Sequence, residues 1–272
     1  MSRYFSKFPL VDYNGTPAKN LLARVDFTDQ TKKDIYSNFD YVLEEGRSRP
    51  DILSYDYYNS SQYDWLIYLS NNVIDPYHDY YKSQGDLVKH ITAKYGTISS
   101  ARRKILFYRN DWASDESLIP ESVYNSIDNK IQKYWKPKLN NTNQVLGYER
   151  VKEDWIVSTN KIIRIVISED VTNFSVGDII KQGNAEGTVV SINVDDSSII
   201  LQHITGTFTA TDGIASITLL KQNIDDIEEA FWAPVDAYSY EEEQNELKKY
   251  INVIKASYLP DIEKLVTELL RQ

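Results

Sequence analysis

Residues 50–81 read PDILSYDYYNSSQYDWLIYLSNNVIDPYHDYY, the stretch richest in local structure signals. Pro50 followed by Asp51 suits the first turn of a short helix: proline lacks only an N–H that has no partner there, and the carboxylate favours the positive end of the helix dipole. A second helix is predicted from Ser61 to Ser70. Tyr63, Leu66, Ile67 and Ser70 recur at three- and four-residue steps, with Trp65 and Leu69 widening the apolar face. Asn71-Asn72 can end it, because asparagine tolerates the left-handed conformation of a C-cap. Val73 to Tyr77 should then leave in extended form, since Asp75 precedes Pro76 and is biased away from helix. Residues 50–82 therefore read as a compact α/β unit.

Working outward, residues 1–49 carry few helix signals and read as an extended arm, with strand candidates at 20–27 and 39–43. Downstream, Ser83 can cap a helix bearing Leu87, Ile91 and Tyr95, which Gly96 stops. Residues 104–109 (KILFYR) read as a strand. Val123, Ile127, Ile131 and Trp135 stand at four-residue steps and predict a helix over 120–135. Residues 136–148, with a proline, asparagines and a glycine, read as a loop. Residues 83–154 are thus a mixed helical and strand region.

The composition then changes. Of 21 tyrosines, twelve precede residue 82 and none lies between Glu149 and Ala237. That gap holds five of the ten glycines and alternates apolar runs with turn residues. The runs are 162–167, 176–180, 188–194, 198–203, 207–209 and 214–220. Strands at such spacing predict an inserted small all-β barrel or sandwich over 155–222. In residues 223–272, Ser239-Tyr240-Glu241-Glu242 has the form of a capping box. Leu247, Tyr250, Ile251, Ile254 and Tyr258 follow as one helical stripe, and Pro260 opens a second helix to Leu270. The expected fold class is α+β: an α/β unit near the N-terminus, a helical core, a C-terminal pair of acidic helices and the inserted β block.

Charge sharpens this division. The chain of 272 residues carries 30 basic and 40 acidic side chains, a net charge of −10, and a pI near 4.9. Residues 1–120 contribute −1, residues 121–222 −2 and residues 223–272 −7. Nucleic acid and anionic membrane would favour the opposite sign, so neither is expected as a partner. The absence of cysteine excludes disulfides, thiolate zinc sites and thiol catalysis. No apolar run approaches the ~20 residues of a membrane span, and residues 1–15 lack the apolar core of a signal peptide. Synthesis in a cytoplasm-like compartment is expected.

The residues that could carry chemistry are few. No glycine-rich phosphate loop and no nucleophile elbow is present. His78, in Asp75-Pro76-Tyr77-His78-Asp79, has no second histidine at ligand spacing and reads as structural; His90 and His203 read likewise. Asp225, Asp226, Glu228 and Glu229 form the densest carboxylate cluster and read as a solvated flank. Arg102-Arg103-Lys104 is a lone basic triplet. No catalytic residue, metal or cofactor is expected. Tyrosine and tryptophan together number 26, and such residues are enriched at protein interfaces, which favours an interaction protein over an enzyme.

A family resemblance enters at the opening stretch. Arg49-Pro50, Tyr58, Tyr63 with Trp65, Asn71-Asn72 and Asp75-Pro76-Tyr77 resemble the central segment of the baseplate wedge protein 53 family of contractile-tailed bacteriophages. Phe8-Pro9, residues 19–24 ending at Arg24, Lys94-Tyr95-Gly96 and Lys133-Tyr134-Trp135 extend the resemblance, which covers about 1–160 and 223–272. Residues 155–222 depart from the family's short members. The unit at 50–78 is also similar to a LysM fold of strand, helix, helix and strand. The resemblance implies a structural protein of the virion tail baseplate, made in the bacterial host cytoplasm. Its implied partners are other wedge proteins, the neighbouring wedges and the central hub or tail tube. The implied contact residues are Arg24, Tyr58, Tyr63, Trp65, Asn71, Asn72, Asp75, Pro76 and Tyr77, with Trp65 open to a core role instead. The alternatives are a LysM-type module binding cell-wall glycan, and a hydrolase using Asp225 and Glu229.

Overall fold

The computed structural model describes residues 8–20, 38–110, 118–151 and 155–270. The strand candidate over 20–27 and Arg24 lie essentially outside the described residues. In chain order the elements are β1 (Leu10–Tyr13), β2 (Thr16–Lys19), β3 (Asn38–Val42), α1 (Pro50–Tyr58), a 3-10 turn (Ser61–Tyr63), α2 (Asp64–Ser70), α3 (Gln84–Tyr95), α4 (Ile98–Arg103) and β4 (Ile105–Asn110). Two single-turn helices follow, α5 (Glu121–Tyr124) and α6 (Asn129–Gln132), then β5 (Trp135–Leu139), β6 (Val145–Arg150) and β7 (Trp155–Val157). The β block comprises β8 (Lys161–Ile167), β9 (Ile179–Gln182), β10 (Ala185–Asn193), β11 (Ser198–Thr205) and β12 (Ile214–Gln222). The chain continues through β13 (Ala233–Asp236), α7 (Ala237–Leu247), β14 (Tyr250–Ile254) and α8 (Leu259–Leu269). The mixture of helices and small antiparallel sheets is the α+β class expected.

The chain divides into two compact units, Met1–Ala101 with Tyr238–Gln272, and Arg102–Ala237. In the first unit the local signals act as read. Pro50 sits at the start of α1, whose C-cap Asn59 takes φ +53°. The Ser83 hydroxyl accepts from the Asp86 N–H, and Gly96 ends α3 at φ +85°. The core gathers Leu53 and Tyr58 of α1, Trp65, Leu66 and Ile67 of α2, Ile251, Val253 and Ile254 of β14, and Ile262 and Val266 of α8.

Three expectations for this unit are overturned. Residues 73–77 form no strand; they enter a turn, described below. The strand that pairs with β3 is β14, antiparallel, with Tyr41 opposite Ile251 and Phe39 opposite Val253. That same segment was read as helix. Tyr250, Ile251 and Ile254 fit a helical stripe, but Ile251, Val253 and Ile254 are β-branched, and Ile251 and Val253 bury one face of a strand between Leu247 and the 3-10 turn at Ala256–Tyr258, with Ile254 buried at its end. Ser239 lies inside α7 rather than capping it, because the helix already begins at Ala237.

In the second unit, β13, β4 and β7 form a three-stranded sheet, and β5 pairs with β6 as a hairpin. The helix expected over 120–135 is instead α5 and α6. The Asp128 carboxylate accepts from the Lys130 N–H and starts a new turn, while the Ser126 hydroxyl bonds back to the Val123 carbonyl. The loop expected over 136–148 is the β5–β6 hairpin. Its turn is organised by Asn140, whose side-chain oxygen accepts from the N–H groups of Thr142 and Gln144, and Asn143 takes φ +59°. Gly147 is required here: a Cβ would lie 2.9 Å from the Ile119 carbonyl oxygen.

The β block is one antiparallel sheet in the order β12-β8-β11-β10-β9, not a closed barrel or a sandwich. Residues 207–209, expected as a strand, are a loop. One face buries Ile163, Ile165, Val189, Ile199, Leu201 and Phe208. In β11, His203 and Ile204 oppose the single residue Gly187, a bulge in which His203 adopts φ +53°.

The bulge gives unit 2 an acid sensitivity. His203 Nδ1 is buried without a hydrogen-bond partner, and the ring stacks on Tyr108 at 6.0 Å and 24°. Burial holds its pKa below the ordinary histidine value of 6.5. A depressed histidine pKa means that the unfolded chain takes the proton first. Stability is therefore full above the unfolded value and falls as the pH drops below it. Replacing His203 by asparagine, which tolerates the same φ and stays neutral, should flatten that loss. Melting curves of both proteins from about pH 7.5 to about pH 5.5 would show the difference; parallel curves would overturn it.

Candidate partner-docking turn

Helix α2 and strand β14 are fastened by two side chains. The Ser70 hydroxyl reaches the Asn252 carbonyl at 3.0 Å. Asn71 Nδ2 donates to the carbonyls of Ile67 at 2.8 Å and Asn252 at 2.9 Å, and its Oδ1 accepts the Asn252 N–H at 2.7 Å. Asn72 then turns the chain at φ +54°, and the Val73 N–H returns to the Tyr68 carbonyl at 2.9 Å.

The next five residues are held almost entirely by two carboxylates. Asp79 Oδ2 accepts the N–H groups of Ile74 at 3.2 Å and Asp75 at 2.8 Å. Asp75 Oδ1 accepts the Tyr77 N–H at 2.9 Å, and its Oδ2 binds His78 Nδ1 at 2.7 Å. The His78 and Asp79 N–H groups both reach the Asp75 carbonyl, at 3.0 and 2.7 Å. Lys82 and Lys248 donate to the His78 carbonyl. Pro76, with its fixed φ, stands at the bend. The hydrogen bonds from His78 and from the Tyr77 N–H hold the Asp75 carboxyl below its ordinary pKa, so the acceptor is fully ionised at neutral pH.

This scaffold exposes two apolar side chains, Tyr77 at 84% and Ile74 at 62% of their full accessible surface. An amphipathic ring on a fixed backbone loses little entropy when it binds, which is what an interface anchor requires. Beneath the turn, His78 meets His90 edge-on at 5.9 Å. His90 lies 3.4 Å from Glu241, which also binds Lys94 Nζ at 2.6 Å and the Tyr95 hydroxyl at 3.0 Å. Burial alone would raise the Glu241 pKa, but these partners lower it overall. The acidic helix α7 therefore spends at least this charge within its own unit.

The other contact candidates from the sequence sit elsewhere. Tyr58 is buried and donates its hydroxyl to the Ile254 carbonyl at 2.8 Å, and burial raises its pKa. Tyr63 is half-buried, edge-on to Tyr58 at 5.6 Å. Trp65 is 7% exposed and belongs to the core. Asn71 and Asn72 shape the backbone. Sequence reading missed Ile74 and Asp79. The spacing of Asp75 and Asp79 around Pro76 was the available signal, because short carboxylates reach N–H groups a few residues away.

Of the carboxylates at 225–229, Asp226 and Glu229 are exposed as expected of a solvated flank, and Glu228 departs from it. Glu228 is buried, binding the Tyr134 hydroxyl at 2.7 Å and Lys133 at 2.8 Å. Asp225 pairs with Lys130, and Asp226 and Glu229 with Lys161. Among the described residues no cluster of histidine and carboxylate side chains could hold a metal, and no helix is long and apolar enough to cross a membrane.

No curated protein matches the chain. The docking turn and the helices that carry it lie within residues 14–114, the span over which the chain is similar to the family model described as Base plate wedge protein 53.

Proposed function

We propose that the chain joins neighbouring wedges of the baseplate, and through them the central hub, with the Asp75–Asp79 turn as one docking element. The observation that carries this is Tyr77, 84% exposed on a turn whose backbone is fixed from within and which lies in the family-matched span. A ring built by repeating one head-to-tail contact needs two different surfaces on each copy. The turn supplies one of them. Residues 155–222, outside the matched span, are an insert that adds a further surface. The protein resides in the virion tail.

Co-expression with the neighbouring wedge proteins, followed by size exclusion, tests the reading. The wild type should enter a wedge complex. Tyr77→Ala should weaken that association by about 30-fold or more, as loss of an interface anchor does. Its own stability should stay within about 0.5 kcal/mol, because nothing packs around the exposed ring. Equal co-elution of the variant would remove the turn from the interface. A folded wild type that enters no complex would remove the role itself.

A further inference from the structure

The β block is an open sheet. Its sheet runs from β12 to β9, and the two edge strands do not pair. They nevertheless come close at one end. Gln182, the last residue of β9, donates through Nε2 to the carbonyls of Thr209 at 2.9 Å and Thr211 at 2.8 Å, and its Oε1 accepts the Thr209 N–H at 2.7 Å. These residues lead directly into β12. Between them and β9 runs a groove of about 410 Å³. Its apolar lining is Ile167, Phe174, Ile179, Ile180 and Ile214.

Among the described residues strand β9 pairs with β10 alone, so one of its edges faces away from the sheet. In an antiparallel strand, alternate residues direct both backbone groups to each side, and a free edge is a template for another strand. Native sheets blunt such edges with charge, proline or bulges. Along Ile179–Gln182 the only charge is Lys181, already paired with Glu186 on β10. The groove also carries two carboxylates, Glu169 and Asp212, and neither has an ion-pair partner among the described residues.

We infer that this groove binds an extended, basic peptide segment of a partner protein, which adds to the free edge of β9. Its aliphatic side chains fill the isoleucine-lined floor. A lysine or arginine on the segment pairs with Glu169 and Asp212. Main-chain hydrogen bonds supply affinity in this mode, and the pockets for alternate side chains supply selectivity. The site lies outside residues 14–114, so it is independent of the docking turn.

The experiment is selection of a random linear decapeptide library on the immobilised full chain. Bound peptides are then mapped by hydrogen exchange. Enrichment of alternating aliphatic sequences with a lysine or arginine, slowing exchange at the amides of 179–182, is the expected result. The double variant Glu169→Lys, Asp212→Lys, its folding verified by circular dichroism, should bind these peptides at least about tenfold more weakly. The same peptides N-methylated at alternate residues should not bind. No enrichment, enrichment of acidic or non-alternating sequences, protection elsewhere, or equal binding by the double variant would each overturn the inference.

Discussion

Trp65→Ala is expected to destabilise the first unit by about 3–5 kcal/mol, the range for deleting a large buried aromatic. The indole is 7% exposed and sits in the cluster that joins α1, α2, β14 and α8. Its removal leaves a cavity in a core assembled from segments far apart in the chain, and these cannot close over it by a local shift. Trp65→Phe, which keeps a ring in the site, should recover a large part of the loss. Denaturant unfolding followed by tyrosine absorbance would measure both, provided the transitions of the two units are fitted separately. A loss below about 1 kcal/mol would show that the indole is not a core side chain and would return it to the list of contact residues.

The second large effect is expected from Glu228→Ala in the other unit. Glu228 and Tyr134 are both buried, and the carboxylate is the acceptor of the tyrosine hydroxyl at 2.7 Å. Burial, then that hydrogen bond, raises the Tyr134 pKa, so the phenol stays a donor through the physiological range. Without the acceptor, a buried hydroxyl loses that hydrogen bond, at a cost of about 1–3 kcal/mol. Lys133 adds less, since its side chain is 44% exposed and the ammonium can be rehydrated. Glu228→Gln keeps an oxygen within reach and should cost clearly less than alanine. The melting temperature of the second unit distinguishes them. Equal losses for glutamine and alanine would mean that the charge, and not the acceptor, matters there.

How far the sequence was legible follows from how local each determinant is. Helices α1 and α3 announce themselves through Pro50, Ser83 and Gly96, whose effects act within one turn. The Asp75–Asp79 turn is equally local, and its motif was visible even though its extended form was misread. Strand β14 was not legible. Its residues satisfy a helical period, and what selects strand is β3, whose Tyr41 and Phe39 are remote in sequence. The helix expected over 120–135 failed because Asp128 restarts the turn, which outweighs apolar residues at four-residue steps. The open β block was missed for a related reason. Turn signals count strands, but whether the first and last of them pair depends on the curl of the whole sheet. Among the contact candidates, residue type could not separate Tyr58, which is buried, from Tyr77, which is exposed. Both stand in the same tyrosine-rich stretch, and only packing distinguishes them.

The pairing of β3 with β14 sets an order of events during synthesis. β14 emerges about 208 residues after β3. At bacterial elongation rates of roughly 5–20 residues per second, the edge of β3 waits some 10–40 seconds on the ribosome without its mate. The whole second unit is translated in that interval and can fold first. The Asn252 groups that grip Asn71, and the Lys248 ammonium that grips the turn, arrive last. A nascent or truncated chain can form the local Asp75 and Asp79 hydrogen bonds, but it lacks the links from Asn252 to Asn71 and from Lys248 to His78 until β14 is made.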